Sequence, residues 1–260
     1  MHIYDSRFPV APTARLTPPD ASVADYRKLQ ARLGLTRAVV VTPSTYGTDN
    51  RVTTEAIRAL GPASRGVAVL SPDSTDTELK ALDAAGIRGL RFNLTTGAFL
   101  TPDMIAPMAQ RIADLGWHIQ INMAPEQMLA HAGTLAQLPA PLVIDHIGRV
   151  PQPDGVSHPV FALIRRLLDG GRTWVKLSGP YISSTDGRPD FADVGHVARA
   201  LVAAAPERLV WGSDWPHPTR DQNAKPDDAA LLDLIADWAA DPTLRARILV
   251  ENPAELYRFN

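Results

Sequence analysis

The chain has 260 residues, of which 45% are hydrophobic and 21% are charged, and this is enough to bury a full globular core. The formal net charge of −2 gives no reason to expect nucleic acid or an anionic membrane as a partner. Because the sequence contains no cysteine, disulfides, thiolate metal sites and a cysteine nucleophile are excluded.

Targeting signals are not evident in the sequence. The first residues show no basic segment followed by an apolar run, so we expect no signal peptide and a cytoplasmic location. No apolar stretch approaches the roughly 20 residues that a transmembrane helix needs. The sequence leaves self-association as a homo-oligomer open.

Short apolar, β-branched runs alternate with helical patterns along the whole chain. The runs that predict strands cover residues 2–4, 38–41, 66–70, 89–93, 117–123, 141–146, 173–178 and 208–212. The patterns that predict helices cover residues 23–33, 53–60, 75–85, 102–115, 125–138, 159–168, 191–205 and 227–239, and the tail 242–260 predicts a closing pair of helices. Glycines predicted to end helices in a left-handed conformation are Gly61, Gly86, Gly116 and Gly170.

The alternation of strand and helix predicts a parallel sheet with crossover helices. Eight such units in this length favour closure into a (β/α)8 TIM barrel over an open doubly wound sheet. The glycine-rich dinucleotide-binding motif that an open sheet of that kind needs after its first strand is missing. We therefore predict an α/β barrel with one domain over residues 1–260.

Polar side chains stand where several of the predicted apolar strands end. In a barrel of this class the active site lies at the C-terminal ends of the strands. Four such side chains are His2, Arg91, His146 and Asp214. One histidine or aspartate alone has an ordinary structural explanation, but convergence from four strands favours a catalytic site. We expect His118 to be structural, and His131, His158 and His196 to lie at the solvated surface.

Three segments resemble motifs of the metal-dependent amidohydrolase superfamily. They are Asp145-His-Ile-Gly-Arg149, Val175-Lys-Leu-Ser-Gly-Pro-Tyr181 and Trp211-Gly-Ser-Asp-Trp-Pro-His217. More narrowly, they are similar to the branch of 2-pyrone-4,6-dicarboxylate lactonase and galactarolactone isomerase. The segments Met1-His-Ile-Tyr4 and Arg91-Phe-Asn93 fit the first and fourth strands, so the resemblance runs nearly end to end.

The sequence departs from the superfamily at the metal ligands. Only the second histidine of the first-strand His-x-His motif is present, as His2, and its partner would fall before residue 1. Arg91 replaces a metal-bridging lysine, and arginine cannot bridge metals because it stays protonated. Gln120 or Asn122 replaces the fifth-strand histidine. This branch of the superfamily implies an enzyme without a metal or other cofactor, and zinc held by His2, His146 and Asp214 is the alternative.

The resemblance implies a lactonase-type hydrolase that opens a small anionic lactone, from an aromatic dicarboxylate or a sugar diacid. Asp214 is expected to act as general base, while His2 and His146 polarise the ester carbonyl. Arg91 is expected to bind a substrate carboxylate, or else to form a structural ion pair with Asp5 or Asp145. Further substrate contacts are expected from Ser44, Tyr46, Thr48, Asn50, Tyr181 and His217.

Three other functions fit the same residues. In a lactone isomerase the substrate's own hydroxyl would replace water as the nucleophile. A zinc-dependent amidohydrolase or decarboxylase would be detected by metal analysis. A non-catalytic sugar-acid binding protein fits the incomplete first-strand motif, and turnover of any lactone would exclude it.

Overall fold

The computed structural model describes residues 1–95 and 100–259. Seven strands in these ranges form one sheet whose order follows the chain. They are β1 (Ala38–Val41), β2 (Ser64–Ala68), β3 (Ile87–Asn93), β4 (His118–Asn122), β5 (Leu142–Ile144), β6 (Thr173–Leu177) and β7 (Leu209–Trp211). The pairings β1–β2, β2–β3, β5–β6 and β6–β7 are parallel, as crossover helices require.

The first predicted strand, residues 2–4, is not a regular strand in the described part of the chain. Its start still follows β1, because the Met1 amine donates to the Val39 carbonyl and the Val41 amide donates to the Met1 carbonyl, at 3.1 and 2.9 Å. Tyr4 then pairs with Ala21 in an isolated antiparallel bridge. The run leaves the β1 ladder at that point, which is why an eighth strand does not develop.

Helices follow the strands much as the sequence predicts. They are α1 (Val23–Leu33), α2 (Arg51–Leu60), α3 (Asp76–Ala84), α4 (Ile105–Ile112), α5 (Pro125–Ala130), α6 (Ala132–Ala136), α7 (Pro159–Asp169), α8 (Ala192–Ala204), α9 (Asp228–Trp238), α10 (Pro242–Ala246) and α11 (Asn252–Tyr257). The helix predicted over 125–138 is two helices, because the backbone at His131 leaves helical geometry with φ −106°. A π-helical segment, Arg247–Glu251, joins α10 to α11.

The helix ends show which local sequence signals predicted a helix boundary correctly. Ser22 and Thr75 each form a capping box with the residue three positions on, so α1 and α3 begin where the sequence indicates. The glycines predicted to end helices at 61, 86 and 116 have positive φ. The same prediction for Gly170 is wrong, because its φ is −67° and the left-handed residue is Gly171.

Two of the histidines outside the predicted site have clear structural roles. The buried His118 ring packs so closely on Gly89 that a Cβ at that glycine would overlap it. His158 was predicted to be a solvated surface residue. It has a structural role instead, because its Nδ1 accepts a hydrogen bond from the Val160 amide and caps α7. Neither residue is available for chemistry in this arrangement.

Two compact units divide the chain. The first unit comprises Met1–Gln120 with Asp214–Pro226, and the second comprises Ile121–Ser213 with Asp227–Asn260. Each unit has its own buried strands, with Leu90 and Phe92 in the first and Val175 and Leu177 in the second. A single domain over residues 1–260 stays a prediction. In the described ranges, no helix is long and apolar enough to cross a membrane.

Candidate active site

A buried histidine and a carboxylate face each other in the first unit. The Nε2 atom of His2 lies 3.9 Å from Oδ1 of Asp214, and both side chains are 8% exposed. The His2 amide donates to the Trp215 carbonyl at 2.8 Å, which ties the start of the chain to the loop after β7. The structure therefore brings together two of the residues that the sequence analysis selected.

The hydrogen bonding of His2 fixes its protonation. Its Nδ1 lies 2.8 Å from the Val41 carbonyl, and because a carbonyl can only accept, Nδ1 carries the hydrogen. Burial lowers the pKa of His2 to about 3, the nearby Arg91 charge acts in the same direction, and the Asp214 charge opposes it. Near neutral pH the ring is uncharged and Nε2 is a hydrogen-bond acceptor. A neutral His2 of this kind cannot donate to a carbonyl oxygen, which is what the predicted polarising role needs.

Asp214 lies on a turn with unusual backbone geometry. Its φ is +56° and that of His217 is +59°, a conformation that is uncommon for residues other than glycine. The His217 amide donates to the Asp214 carbonyl at 2.8 Å, and the Trp215 ring packs on Tyr26 with 5.4 Å between centroids. An unfavourable backbone conformation that is held in place by the surrounding packing is typical of turns at functional sites.

Arg91 is a buried cation on β3. It is 5% exposed, and its charge lowers the pKa of His2. Each of the two carboxylates considered as its structural partner pairs with another cation. Asp5 binds Arg7 through both oxygens, and Asp145 lies 2.8 Å from Lys176 Nζ. The substrate-binding role of Arg91 stays a prediction.

Tyr4 is a residue of this cluster to which the sequence analysis gave no role. Its buried ring lies 6.3 Å from the His2 ring between centroids, and burial raises the pKa of its phenol. The charges of Arg91 and Asp214 both act on that phenol. Two residues separated by one position in an extended segment share a side, so the spacing of His2 and Tyr4 was the available signal.

Two of the polar residues that follow β1 and were predicted to bind substrate form hydrogen bonds within the protein instead. All four hydrogen-bonding positions of Asn50 are used, by Thr42, Thr48 and both backbone groups of Val69. The Tyr46 hydroxyl accepts from the Asp5 amide and donates to the Asp5 carbonyl. This bonding favours structural roles for Asn50 and Tyr46.

Ser44 and Thr48 are in a different position. The Ser44 hydroxyl accepts a hydrogen bond from Asn93 Nδ2 at 2.8 Å and keeps its own hydrogen for another acceptor. Thr48 lines an open cavity of about 470 Å³ together with Asp73 and Glu78. His2 and Asp214 do not line that cavity, so it is separate from the proposed chemistry.

The second unit holds its own histidine cluster. His146 is buried, and its Nδ1 lies 3.1 Å from the Ser178 hydroxyl. Beside it, Lys176 Nζ pairs with the buried Asp145 carboxylate at 2.8 Å. Gly179 has φ +56° and permits this arrangement, because a Cβ there would stand only 2.9 Å from His146 Nδ1. Tyr181 is buried on the turn that follows.

The predicted metal ligands do not form a ligand set. Across residues 1–95 and 100–259, no group of three or more histidine or carboxylate side chains is placed to hold a metal ion. The guanidinium of Arg91 acts on His2 as a neighbouring positive charge, which would also repel a cation. Metal independence stays a prediction, and zinc held by His2, His146 and Asp214 stays its alternative.

The amidohydrolase (Amidohydro_2) family model matches residues 1–259. The chain belongs to the amidohydrolase family, which confirms the resemblance. Curated relatives include 4-sulfomuconolactone hydrolase of Rhizobium radiobacter, 38% identical over 96% of this chain and 85% of that protein. The 2-pyrone-4,6-dicarboxylate hydrolase of Comamonas testosteroni is 36% identical over 97% of this chain and 86% of that protein. D-galactarolactone isomerase of Agrobacterium fabrum is 32% identical over 100% and 90%.

Solved structures confirm the fold class. An apo structure from Agrobacterium tumefaciens matches with a TM-score of 0.93 and 31% identity, covering 100% of this chain and 94% of that one. A probable 2-pyrone-4,6-dicarboxylic acid hydrolase from Acinetobacter baumannii, with citric acid bound, matches with a TM-score of 0.87 and 28% identity over 99% and 97%. The predicted α/β TIM-barrel class is thereby confirmed.

Proposed function

We propose that this protein is a hydrolase that opens a small anionic lactone. The observation that carries the proposal is the pairing of a neutral, buried His2 with Asp214 at 3.9 Å. That separation is too long for a direct hydrogen bond, and one water molecule can bridge two acceptors at this distance. A water that donates to two acceptors is oriented, and one of the acceptors is a carboxylate able to take its proton.

In the proposed reaction Asp214 removes a proton from water as the oxygen attacks the lactone carbonyl carbon. The His2 Nε2 atom accepts the second hydrogen of that water and orients it. The tetrahedral intermediate then expels the ring oxygen, which receives the proton held by Asp214. The products are a hydroxyl or enol and a carboxylic acid on one opened chain, so one water is consumed, and the acid releases its proton to the solvent to become a carboxylate.

The family resemblance implies that His146 stabilises the oxyanion, and this role stays a prediction. To donate from Nε2 it must be unprotonated at Nδ1, and the Ser178 hydroxyl can donate to Nδ1 in that tautomer. A donor aimed at developing negative charge is the usual electrostatic contribution to acyl transfer. In this proposal His2 is a hydrogen-bond acceptor and His146 a hydrogen-bond donor, whereas the sequence analysis gave both residues the same role.

An anionic substrate is supported by Arg91 and by the relatives. The guanidinium on β3 is buried, and a fixed, desolvated cation binds carboxylate or sulfonate groups through paired hydrogen bonds. Two relatives have names that describe hydrolysis of such anions, 4-sulfomuconolactone and 2-pyrone-4,6-dicarboxylate. We therefore place the substrate among small lactones that carry at least one acidic group.

A metal-independent lactone isomerase is the second candidate, because D-galactarolactone isomerase is 32% identical to this chain. An isomerase transfers the acyl group to a hydroxyl of the same substrate and consumes no water. Three relatives with higher identity, 38%, 36% and 34%, are named as hydrolases, and the carboxylate at Asp214 suits the deprotonation of water, so hydrolysis is favoured. The zinc-dependent amidohydrolase or decarboxylase and the sugar-acid binder remain as outcomes of the test.

The test is a lactone panel assayed with a pH indicator, with and without a chelator. We expect acid release from 4-sulfomuconolactone, 2-pyrone-4,6-dicarboxylate or a sugar-diacid lactone, at a rate that chelation leaves unchanged. Turnover of none of them would contradict the proposal and favour a binding protein. Activity that is lost on metal removal and restored by Zn²⁺ would overturn metal independence. The cytoplasmic location and self-association stay predictions.

A further inference from the structure

A hydrogen bond in the first unit connects the loop after β1 to the last residue of β3. Asn93 Nδ2 donates to Ser44 Oγ at 2.8 Å, although the two residues lie 49 positions apart in the sequence. In the sheet β2 lies between β1 and β3, and its last residue, Ala68, pairs with Leu90. Because Ser44 follows β1 and Asn93 follows Leu90, their side chains meet beyond the end of β2. The bond therefore lies at the C-terminal edge of the sheet, where the active site of a TIM barrel is built.

Asn93 lies on the same side of β3 as Arg91. Alternate residues of a strand point to the same face of the sheet and stand about 6–7 Å apart along it. Arg91 is buried, and its charge acts on His2, whose Nε2 atom lies 3.9 Å from Asp214 Oδ1. Asn93 therefore shares a face of β3 with the cation of the proposed site and stands closer to the end of the strand.

The hydrogen bonds of Asn93 form a chain with a direction. Thr95 Oγ1 donates to Asn93 Oδ1 at 3.0 Å, and Asn93 Nδ2 donates in turn to Ser44 Oγ. Since Asn93 supplies the hydrogen of the second bond, the Ser44 hydroxyl keeps its own hydrogen, which is directed elsewhere. In the described ranges, the Ser44 side chain forms no other hydrogen bond, and it is half-buried. This hydrogen is available to a ligand that offers an acceptor.

The backbone that carries Ser44 is held in place by the preceding loop. The Ala11 amide donates to the Thr45 carbonyl at 2.8 Å, and Thr45 Oγ1 donates to the Leu16 carbonyl at 2.8 Å. With the backbone fixed, rotation of the Ser44 side chain and its hydroxyl is the main freedom that remains, and the contact with Asn93 restricts it. A donor that is oriented before the ligand arrives loses less entropy on binding.

We propose that Asn93 is a positioning residue, which orients the Ser44 hydroxyl as a hydrogen-bond donor to an acceptor oxygen of the bound lactone. The inference rests on the proposed function and adds to it a residue that acts through Ser44. The competing explanation is that the bond between Asn93 and Ser44 only braces the ends of two strands.

Two substitutions of Asn93 have opposite orders of effect under the two explanations. Asn93→Asp keeps a bond to Ser44 but reverses it, because a carboxylate can only accept and the Ser44 hydrogen is then used. Asn93→Leu removes the bond and leaves that hydrogen available. If Asn93 positions a donor, kcat/KM for 2-pyrone-4,6-dicarboxylate should fall at least as far in Asn93→Asp as in Ser44→Ala, about 2- to 12-fold, and less in Asn93→Leu. An equal or larger loss in Asn93→Leu would establish the brace and overturn the proposal.

A double-mutant cycle with Ser44→Ala separates the reversed bond from the new charge. The carboxylate of Asn93→Asp would also repel an anionic lactone, and this repulsion remains when residue 44 is alanine. We therefore expect the loss caused by Asn93→Asp to be about 2- to 12-fold smaller in the Ser44→Ala background. Equal losses in both backgrounds would mean that the charge alone acts, and the proposal would be wrong. Asn223→Asp adds the same charge at an exposed position of the first unit and is the matched control, which should leave kcat/KM unchanged.

A binding measurement separates failure of this inference from failure of the proposed function. In Asp214→Asn protein the lactone should stay closed, so the Kd of 2-pyrone-4,6-dicarboxylate can be measured by calorimetry. In that background we expect Ser44→Ala and Asn93→Asp each to raise the Kd by at least about twofold. If no lactone is turned over and the Kd still depends on both residues, the positioned donor stands and the hydrolase does not. An unchanged Kd in both variants would overturn the inference alone, and a lactone that does not bind would overturn the inference and leave the proposed substrates.

Discussion

The two histidine clusters hold their rings in different ways. His2 in the first unit is bonded at Nδ1 by the Val41 carbonyl, which can only accept. His146 in the second unit is bonded at Nδ1 by the Ser178 hydroxyl, which can donate or accept. The first ring is fixed in one tautomer by the main chain, whereas the second can present either a donor or an acceptor at Nε2.

This difference in hydrogen bonding indicates different roles for His2 and His146, to which the sequence analysis gave the same role. A fixed acceptor beside a carboxylate suits the activation of water, and a ring that can donate suits the stabilisation of an oxyanion. The backbone shows the same contrast. His2 lies on an extended segment bonded to β1 and to the Trp215 carbonyl, while His146 lies on a left-handed turn. The roles follow from what each Nδ1 contacts, and three variants test them.

The largest effect is expected from Asp214→Asn, which removes the base and leaves the acceptor His2 in place. We expect kcat to fall by roughly 100- to 10,000-fold, the usual contribution of a general base, with KM little changed. Asparagine tolerates the φ of +56° as well as aspartate does, so the turn itself should survive. An unchanged melting temperature would verify this. Turnover close to that of the unmodified protein would remove Asp214 from the mechanism.

A smaller effect is expected from Arg91→Met, which acts on the cluster of His2 and Asp214. Losing a charge-assisted paired contact should cost about 2–4 kcal/mol in kcat/KM for anionic lactones, mainly through KM, and much less for a neutral lactone. Since Arg91 lowers the pKa of His2, the variant should also raise that pKa, which NMR titration of the ring can follow. Equal losses for charged and neutral lactones would make Arg91 a structural residue.

The smallest effect is expected from Ser178→Ala, which acts only on His146. Removing one neutral hydrogen bond of about 0.5–1.5 kcal/mol should lower kcat by about 2- to 12-fold. Ser178→Thr keeps a hydroxyl and should restore most of the rate. The ¹⁵N shifts of His146 should report a changed tautomer mixture in the alanine variant, with those of His2 unaltered. A lower rate without any change in the His146 spectrum would show that Ser178 does not set the tautomer.

Much of the fold was predictable because it depends on local signals. Apolar runs marked β1 to β7 closely, and the capping residues Ser22 and Thr75 fixed two helix starts. The run 2–4 failed as a regular strand because Tyr4 bonds to Ala21, and no periodicity in a three-residue segment could reveal that partner. The break at His131 likewise depends on backbone geometry that an apolar pattern does not encode.

The candidate site was predictable in its residues and less so in their roles. Strand ends and motifs selected His2 and Asp214, which the structure brings to 3.9 Å. The tautomer of His2 could not be foreseen, because it depends on the Val41 carbonyl, 39 positions away in the sequence. Asn50 looked like a ligand for substrate, yet its amide bonds both backbone groups of Val69. A polar side chain at a strand end can have a structural or a catalytic role. The hydrogen-bond partners seen in the structure distinguish these roles, and the sequence does not reveal them.

The central claim is that water attacks the lactone, with Asp214 as base. The most direct measurement is turnover in H₂¹⁸O, followed by mass spectrometry of the product and of the remaining lactone. We predict that each turnover places one ¹⁸O atom in the new carboxylate of the opened chain. A rearranged lactone without label, formed at the rate at which substrate disappears, would contradict this account and establish an isomerase in its place.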